Sequence, residues 1–570
     1  MPGFNFFYNI PNFQIERKKS LVSGTISGDC FQVNRFTLNK FMNDKLFIEK
    51  EDLILVIEGV VLNQKQLLQK YKEDSWVDLV YTLYKKNNQF FKEFRGAFSG
   101  LIYDKKEKEC IVFTDHLGTK HLYYYLENES LLVSSDISDL YTYFKENKIE
   151  YQLDIDASYN LLSYGYMLGN NTLCKKIKKL EAGSYISIKK DDISFGQYYK
   201  LPLSSKTTNL NESQIIDKID EKFREAIKLQ FDKDKEYGYK HLVALSGGLD
   251  SRMTSWVAHD MGYVNQINFT FSQSDYLDET IPKKIASDLK HEWIFKALDN
   301  GVFLKDLEEI NLMTGGNVLY YGLAHGNSMI KLINFDNLGI IHSGQLGDVV
   351  IGTFIKTLSK EGLQKLDGAY SKTLLDKEAN ENKIDSVEDI EQKLIYQRGV
   401  NGANNGLVAS QNYSETFSPF YDIDFFEFCL SIPIELRMGH NLYKKWILTK
   451  YPKAADYVWE STKKKINKKE ILIGYKGKKI PASRVVLLIF QKIGTKKSSL
   501  HTRNHMNPLD YWYSSNEDIR LFQDKYFKEN INFVVNDKLR EDCHKLYKEG
   551  GAIEKNQILS LLSANQMFFK

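Results

Sequence analysis

The stretch LVALSGGLDSRMTSWVAHDMG, Leu242–Gly262, begins as a short apolar run and ends in a helical pattern. The run predicts a buried strand, and Met253, Trp256, Val257 and Met261 recur at the spacing of one helix face. Between the two lies Ser-Gly-Gly-Leu-Asp-Ser, whose adjacent glycines give up side-chain packing and allow a close approach to the backbone. The stretch therefore predicts a strand, a tight turn and a helix, the repeating unit of an α/β sheet.

The turn has the composition of an anion-binding site. The successive amides of Ser246, Gly247 and Gly248, followed by the positive end of a helix, predict that it binds phosphate. The hydroxyl of Ser251 adds a donor, and Asp250 is suited to hold Mg²⁺ against phosphate oxygens. The lysine and the spacing of the Walker loop are missing. A lone Gly-Gly pair would favour a turn without a ligand, but the ordered run between a strand and a helix favours a phosphate site.

Around this unit the chain divides into two kinds of sequence. The first ~200 residues, the length of one or two domains, contain β-type runs such as LILVIEGVVL and GSYISIKK, which predict a strand-dominated domain. The polar stretch Lys200–Ser213 predicts a linker, with Asn211 or Ser213 as the cap of the next helix. We place the boundary near residue 205, which gives domains 1–205 and 206–570.

Beyond the boundary, strand, turn and helix repeat. INFTF predicts the strand after the first helix, DETIPKKIASDL the next helix, and GIIHSG a later strand that ends in small polar residues. Such alternation predicts a mostly parallel, doubly wound sheet with helices on both faces. Ligands of these sheets bind at the carboxyl ends of the strands, where the Ser-Gly-Gly-Leu-Asp-Ser turn is expected to lie.

Composition argues against several classes of protein. The 570 residues are 26% charged, with 77 Lys and Arg against 74 Asp and Glu, so a nucleic-acid partner is not expected. Five cysteines without metal-ligand spacing argue against a disulfide framework or a zinc site, and favour thiols in a reducing compartment. The N-terminus lacks a signal-peptide pattern, and the longest apolar run, Arg484–Phe490, is shorter than the about 20 residues of a membrane span. By default we expect a cytoplasmic protein without a membrane partner.

Several segments together resemble the asparagine synthetase family. LSGGLDS resembles the pyrophosphate loop of ATP pyrophosphatases, Ser343–Gly352 the second ATP-binding segment of that family, and Ser418–Pro433 its helical region. Arg95–Leu140 and Leu173–Ile188 resemble the glutamine amidotransferase domain that is fused ahead of such synthetases. The motifs follow in the same order along most of the chain, which makes a chance match an unlikely account.

The resemblance implies a fold and a chemistry. It implies a β-rich, Ntn-type amidotransferase-like sandwich, followed by a doubly wound parallel sheet of the adenine-nucleotide α-hydrolase type. Such enzymes activate a carboxylate with ATP and Mg²⁺, release pyrophosphate, and let an amine displace AMP. By position, Asp250 and Asp348 would bind the metal. The residues that would bind ATP are Leu245, Ser246, Gly247, Gly248, Leu249, Asp250, Ser251, Phe271, Ser272, Ser343 and Gly344.

Two further roles are implied for the site. One falls on a residue that departs from the family, and the other could fall on any of three lysines. The family has Glu at the position of Gln345, and the change affects how the substrate or the amine would be held. A lysine that assists adenylation is expected after Trp459, where the chain offers Lys463, Lys464 and Lys465. We take Lys463, Lys465 and Gln345 as the catalytic candidates; a solvated charge run is the alternative for at least two of the lysines.

Four further residues are of interest. Three of them have two interpretations each, and the fourth has a structural one. Asp278 and Glu279 match an acidic pair of the family but equally suit the start of a helix. Arg252 would either reach a phosphate or carboxylate with its planar fork, or solvate the start of its helix. Asp115, in the amidotransferase-like part, is expected to fix a loop.

The start of the chain departs from the amidotransferase pattern. A class II amidotransferase uses an N-terminal cysteine as its nucleophile, with the α-amine of that cysteine as the base. Residue 2 here is Pro2, and the nearest cysteine is Cys30. The Asn-Gly that helps to form the oxyanion hole is replaced by Glu58-Gly59. We therefore expect that glutamine is not hydrolysed and that this domain shapes or covers the synthetase.

Three functions follow from the resemblance. The first is an AMP-forming amide ligase, similar to β-lactam synthetases and lasso-peptide cyclases, that joins a small-molecule or peptide carboxylate to an amine. The second is amidation of an amino acid or sugar acid with free ammonia, as in amino-acid or surface-polysaccharide metabolism. The third is a non-catalytic relative that binds a nucleotide. A homodimer is compatible with each, and the sequence leaves the substrates and the oligomeric state open.

Overall fold

The computed structural model of the chain describes residues 1–11, 13–15, 21–190, 192–204, 208–359, 368–375, 386–468, 472–475, 478–481 and 501–570. Across these ranges, none of the helices is both long and apolar enough to cross a membrane. The apolar run Arg484–Phe490 lies outside the described residues. The domain boundary near residue 205 also falls outside them, and it stays a prediction.

The N-terminal part consists of two antiparallel sheets. Their strands are β1 (Gly3–Tyr8), β2 (Val22–Ser27), β3 (Phe31–Thr37), β4 (Leu46–Glu49), β5 (Leu53–Val61), β6 (Gly96–Asp104), β7 (Glu109–Thr114), β8 (Tyr123–Glu127), β9 (Ser130–Ser134), β10 (Lys178–Lys179), β11 (Ser184–Lys189) and β12 (Asp192–Gln197). The strand orders are β10-β8-β9-β1-β3-β2 and β12-β11-β7-β6-β5-β4.

The two sheets pack face to face, with helices on their outer faces. Phe6 and Val33 of one sheet share a core with Val56 and Leu101 of the other. Because side chains alternate along a strand, Leu55 faces the opposite way and contacts the helical layer. The helices of this part are α1 (Gln64–Tyr71), α2 (Trp76–Lys86), α3 (Ile137–Glu146) and α4 (Ile155–Tyr164). The predicted β-rich sandwich is confirmed.

A parallel sheet forms the centre of the C-terminal part. Its strands are β13 (Lys240–Ala244), β14 (Gln266–Ser272), β15 (Glu292–Ala297), β16 (Leu338–His342) and β17 (Thr416–Phe417). They lie in the order β15-β14-β13-β16-β17, and each neighbouring pair is parallel. The chain adds strands first to one side of β13 and then to the other, so the order reverses between β13 and β16. The predicted doubly wound sheet is confirmed, and the crevice at such a reversal is where ligands bind.

Helices cover both faces of this sheet. On one face, α5 (Glu212–Glu236) and α6 (Asp250–Asp260) pack through Phe231 and Met253 against Val243. On the other face, α9 (Tyr321–Ile330) packs against β13 and β14. Asn211 is the cap of α5, because its side chain accepts a hydrogen bond from the Gln214 amide and the Gln214 side chain accepts one from the Asn211 amide.

The remaining elements surround the sheet. The helices are α7 (Leu277–Leu289), α8 (Leu307–Thr314), α10 (Val387–Leu394), α11 (Asn405–Gln411), α12 (Ile423–Leu430), α13 (Ile434–Arg437), α14 (Asn441–Lys450), α15 (Leu509–Ser515), α16 (Glu517–Asn530), α17 (Asp537–Glu549) and α18 (Ala552–Phe568). Two short hairpins are formed by β18 (Val458–Trp459) with β19 (Lys464–Lys465) and by β20 (Leu472–Tyr475) with β21 (Lys478–Pro481). The last helix contacts both parts of the chain, since Asn311 donates to the Ser560 carbonyl and Tyr151 to the Phe568 carbonyl.

Candidate functional site

The turn after β13, Ser246–Ser251, is closed by its own hydroxyl groups. The Ser246 amide donates to Ser251 Oγ at 2.9 Å, and the Gly248 amide donates to Ser246 Oγ at 3.3 Å. The two hydroxyl oxygens lie 3.0 Å apart. Because α6 begins at Asp250, its first amides, which have no partner within the helix, lie at the same turn. The amides of Ser246 and Gly248, predicted to bind phosphate, are thus engaged within the turn, and the Gly247 amide donates to Asp278. The donors that suit a phosphate are the hydroxyls of the turn and the first amides of α6, at the positive end of the helix.

The turn after β16 packs directly against the turn after β13. A Cβ atom at Gly344 would lie 2.2 Å from the Ser251 nitrogen, and one at Gly347 would lie 2.7 Å from Asp250 Cγ. Both distances are shorter than any ordinary contact. Glycine at 344 therefore lets the two backbones approach this closely, and glycine at 347 leaves room for the Asp250 side chain. The contact lies at the reversal of strand order between β13 and β16.

Asp250 and Asp348 lie side by side where these turns meet. The Asp348 amide donates to Asp250 Oδ2 at 3.0 Å. Burial raises the pKa of Asp250, and the neighbouring Asp348 raises it further. Burial also raises the pKa of Asp348, although His440 and Arg398 oppose that rise. Asp250 is half-buried and Asp348 reaches the surface of the protein. Two adjacent carboxyl groups that are costly to ionise together fit a divalent cation, and Mg²⁺ prefers such oxygen ligands.

A cavity of about 220 Å³ opens beside these turns; we call it the substrate cavity. It lies at the carboxyl ends of β14 and β16 and is bordered by α9 and α11. Phe271 and Ser343, two of the residues that the resemblance implied for ATP binding, line it together with Gln345 and His325. Burial lowers the pKa of His325, which favours the neutral imidazole. None of the described residues that line the cavity is Asp, Glu, Lys or Arg.

Gln345 is held by the neighbouring backbone. Its side-chain Nε2 donates to the Ala403 carbonyl at 2.5 Å. The backbone carbonyl of Gln345 accepts a hydrogen bond from Ser418 Oγ at 2.9 Å. A Cβ atom at Gly406 would lie 3.2 Å from Gln345 Nε2. The carboxamide therefore has a fixed position at the wall of the substrate cavity.

Two acidic residues border the turn after β13 on another side. The Gly247 amide donates to Asp278 Oδ1 at 2.7 Å, and the Glu460 amide donates to the Gly247 carbonyl at 3.2 Å. The Tyr276 hydroxyl donates to the Glu460 carboxylate. Burial raises the pKa of Asp278 to about 6. Asp278 thus binds the turn as well as standing in the first turn of α7, and Glu460 is a neighbour that sequence patterns did not indicate.

Arg252 does not reach a ligand. Its guanidinium is fully buried, and Nη2 donates to the Val458 carbonyl at 2.6 Å and to the Gly247 carbonyl at 3.2 Å. Burial lowers its pKa to about 10. Both predicted roles of Arg252, contact with an anion and solvation of the helix start, are wrong. The side chain instead fastens the turn to the β18–β19 hairpin, which no local pattern in the sequence could reveal.

The candidate lysines belong to the same hairpin. Lys463 and Lys464 are exposed, and Lys465 is half-buried. Lys464 lies opposite Trp459 and Lys465 opposite Val458, the residue whose carbonyl Arg252 binds. The hairpin is therefore attached to the Ser246–Ser251 turn, which we call the phosphate turn after its predicted ligand. The choice among the lysines stays a prediction.

Other predicted ATP-binding residues face the protein core. The side chains of Leu245 and Leu249 are 2% and 3% exposed and belong to hydrophobic clusters. Ser272, which ends β14, is fully buried. Any contact of these three residues with ATP would therefore come from the backbone.

In the N-terminal part, Glu58 occupies the position of the family asparagine. Its carboxylate lies 2.9 Å from Arg35 Nε, and both side chains are buried. Burial raises the pKa of Glu58, while Lys45 and Arg35 oppose the rise. The residue directly before β1 is Pro2, and Gly59 has φ +100°, a conformation that favours glycine.

Asp115 fixes a loop, as the sequence predicted; we call residues Asp115–Lys120 the Asp115 loop. Its Oδ1 accepts hydrogen bonds from the amides of Leu117 and Thr119, at 3.1 and 3.0 Å. Its Oδ2 accepts from the Thr119 hydroxyl at 2.8 Å and from the Lys120 amide at 3.0 Å. A buried carboxylate with four donors holds such a loop in one shape.

Known proteins are similar in sequence to parts of this chain. Residues 38–199 match the family described as a glutamine amidotransferase domain. The chain is 24% identical over 323 residues to a putative asparagine synthetase (glutamine-hydrolyzing) of Methanocaldococcus jannaschii, covering 55% of this chain and 61% of that protein. It is 24% identical over 275 residues to asparagine synthetase (glutamine-hydrolyzing) 1 of Bacillus subtilis, covering 46% and 42%. The matched domain and these relatives support an assignment of the chain to the asparagine synthetase family.

The family resemblance of the motifs is thus confirmed. The chain spans less than two thirds of the length of either synthetase. A solved structure of glutamine phosphoribosylpyrophosphate amidotransferase from B. subtilis, complexed with ADP and GMP, has 13% identity and a TM-score of 0.21, with 41% of this chain and 50% of that chain covered. The fold described above rests on the sheets of this chain and not on that similarity.

Proposed function

We propose that this member of the asparagine synthetase family is an ATP-dependent ligase that adenylates a substrate carboxylate, releases pyrophosphate and joins the carboxylate to an amine. The observation that carries the proposal is the pairing of Asp250 and Asp348 beside the Ser246–Ser251 turn. The hydroxyls of the turn and the first amides of α6 would hold the phosphates of ATP, and the two aspartates would hold Mg²⁺. When bound, Mg²⁺ would neutralise the charge of the leaving pyrophosphate.

The substrate carboxylate would bind in the uncharged cavity next to the turn. Gln345 would orient it by hydrogen bonding, because a carboxamide donates and accepts but takes up no proton near neutral pH. Another group would therefore have to accept the proton of the attacking amine. A lysine of the hairpin, Lys463 or Lys465, would approach the α-phosphate as charge develops there.

The amine would not come from glutamine. Pro2 precedes β1 where the family has a cysteine nucleophile, and the Glu58 carboxylate, paired with Arg35, replaces an amide donor with an acceptor. The amine would belong to the substrate, to a second metabolite or to free ammonia. We propose a small-molecule or peptide carboxylate as the substrate and the cytoplasm as the site of action.

The test is release of pyrophosphate from ATP and Mg²⁺ with a panel of carboxylates that includes L-aspartate. Each reaction is run alone and with ammonium, with primary amines or with glutamine. We expect release that requires one carboxylate, that falls by about a hundredfold or more in Asp250→Ala, and that glutamine does not stimulate. Asp260→Ala is the matched control, because Asp260 ends the same helix and forms an exposed ion pair with Arg224.

Two other outcomes would contradict parts of this proposal, and a third would identify the source of the amine. Stimulation by glutamine would show that the amidotransferase part is active. A requirement for ammonium alone would identify the ammonia-dependent amidation. Binding of ATP without pyrophosphate release from any carboxylate would favour the non-catalytic nucleotide-binding relative.

A further inference from the structure

We propose that the N-terminal part positions one wall of the substrate cavity through the Asp115 loop. The inference rests on the proposed ligase function for the role of the cavity, but the contacts that carry it are independent of the substrate. They connect the loop to both ends of α11 and to the residue before β17.

The loop contacts α11 at both of its ends. Asn404, directly before the helix, donates from Nδ2 to the Leu117 carbonyl at 2.8 Å. Gln411, the last residue of the helix, donates from Nε2 to the Thr119 carbonyl at 3.0 Å. Asn404 and Gln411 are each 1% exposed, so either amide would lose its partner without gaining water if the loop moved. The two bonds therefore set both the position and the direction of α11.

A buried ion pair fixes the segment that follows α11. Lys120 Nζ lies 2.6 Å from Glu415 Oε2, and Lys45 Nζ lies 3.3 Å from Glu415 Oε1. Side chains so deeply buried are costly to separate, because either charge would be left without water or a partner. The Glu415 carbonyl accepts a hydrogen bond from the Ile341 amide at 2.8 Å, which joins this clamp to β16. Two lysines of the N-terminal part thus hold the start of β17 against the strand that leads to Ser343.

α11 is a wall of the substrate cavity. Gly406, Leu407, Ala409 and Ser410 line it from this helix. The Ala403 carbonyl, just ahead of the helix, accepts the hydrogen bond from Gln345 Nε2. A shift of α11 would therefore change the space beside Gln345 and the hydrogen bond that orients its carboxamide. The phosphate turn has no direct hydrogen bond from the Asp115 loop among the described contacts, so ATP binding should respond less.

Hydrogen exchange of the full-length protein tests the positioning directly. In Gln411→Met, which keeps the shape of the side chain and removes its donor, we expect the amides of residues 405–411 to exchange about threefold to tenfold faster. Glu415→Gln should act in the same direction, and Gln411→Met remains informative if that variant fails to fold. Tyr199→Phe is the control, because it removes another hydrogen bond between the two parts, from Tyr199 to Glu427, away from the cavity.

The positioning proposal also predicts that Gln411→Met affects the carboxylate substrate more than ATP. The affinity for a non-hydrolysable ATP analogue should stay within about twofold in Gln411→Met, while the KM of the carboxylate found in the panel rises by about tenfold. Unchanged exchange at residues 405–411 in a folded Gln411→Met protein would overturn the inference. A wild-type protein that releases no pyrophosphate would contradict the proposed function instead, and the exchange measurement would still decide the positioning.

Discussion

Gly344 shows at the scale of one residue how the site depends on close backbone contact. Its missing side chain lets the turn after β16 lie against the first residues of α6, and a Cβ atom there would be 2.2 Å from the Ser251 nitrogen. The nearest atoms belong to backbone, which cannot rotate away as a flexible side chain can. The same approach brings Asp348 to Asp250.

We predict that Gly344→Ala separates the two turns. The added methyl must displace the start of α6, so ATP affinity should fall by at least about tenfold and pyrophosphate release by more, because the aspartate pair is disturbed too. Titration calorimetry with a non-hydrolysable ATP analogue measures the first effect. Gly238→Asn is the control, since Gly238 lies between α5 and β13, a Cβ atom there meets nothing within 4 Å, and asparagine tolerates its φ of +70°. Equal ATP affinity in the two variants would contradict the argument.

The β18–β19 hairpin contains candidate lysines and is bound to the phosphate turn. Arg252 binds the Val458 carbonyl and the Glu460 amide binds the Gly247 carbonyl, so the hairpin and the phosphate turn form one unit. Side chains alternate along a strand, which places Lys464 and Lys465 on opposite sides of β19, while Lys463 lies in the preceding turn with φ +57°.

We predict that the three lysines differ in function, because Lys464 and Lys465 point to opposite sides of β19 and Lys463 lies in the turn before it. At least one of Lys463→Met and Lys465→Met should lower kcat by about a hundredfold with little change in ATP affinity, because the charge would act on the developing transition state. Lys464→Met should retain most of the activity and serves as the control in the same strand. Greater loss in Lys464→Met than in both neighbours would show that its side of the hairpin faces the site.

Local elements were predictable from the sequence, whereas the contacts between them were not. The strand, turn and helix around Ser246–Ser251 depend on neighbouring residues, and the structure has β13 and α6 in that order. The Arg252 and Asp278 contacts with the turn depend on segments far along the chain, as do the contacts of the Asp115 loop with α11. The buried pair of Glu58 and Arg35 is another such case, since a substitution in a motif reveals a lost function but not the partner that replaces it.

Across the molecule, burial lowers the pKa of histidines and raises the pKa of aspartates, because it disfavours the charged form of each. Burial lowers the pKa of His116 and His121 to about 3. It raises the pKa of Asp278 and Asp422 to about 6. The histidines stabilise the fold less as pH falls and the aspartates stabilise it less as pH rises, so their contributions oppose each other over the same range of pH. The pH dependence of a single histidine must therefore be isolated by comparison with a variant.

His121→Gln provides that comparison. The imidazole ordinarily has a pKa of 6.5 and in the folded protein about 3, so its stabilising contribution is complete above pH 6.5 and is lost as pH falls toward 3. The difference in unfolding free energy between wild type and His121→Gln should therefore fall by about 1.4 kcal/mol per pH unit below pH 6, or about 2–3 kcal/mol by pH 4.5. Urea unfolding at several pH values measures it, with His544→Gln, exposed on α17, as the control. A difference that is constant from pH 7 to pH 4.5 would mean that water reaches His121 and that the N-terminal core is less tightly closed than its packing indicates.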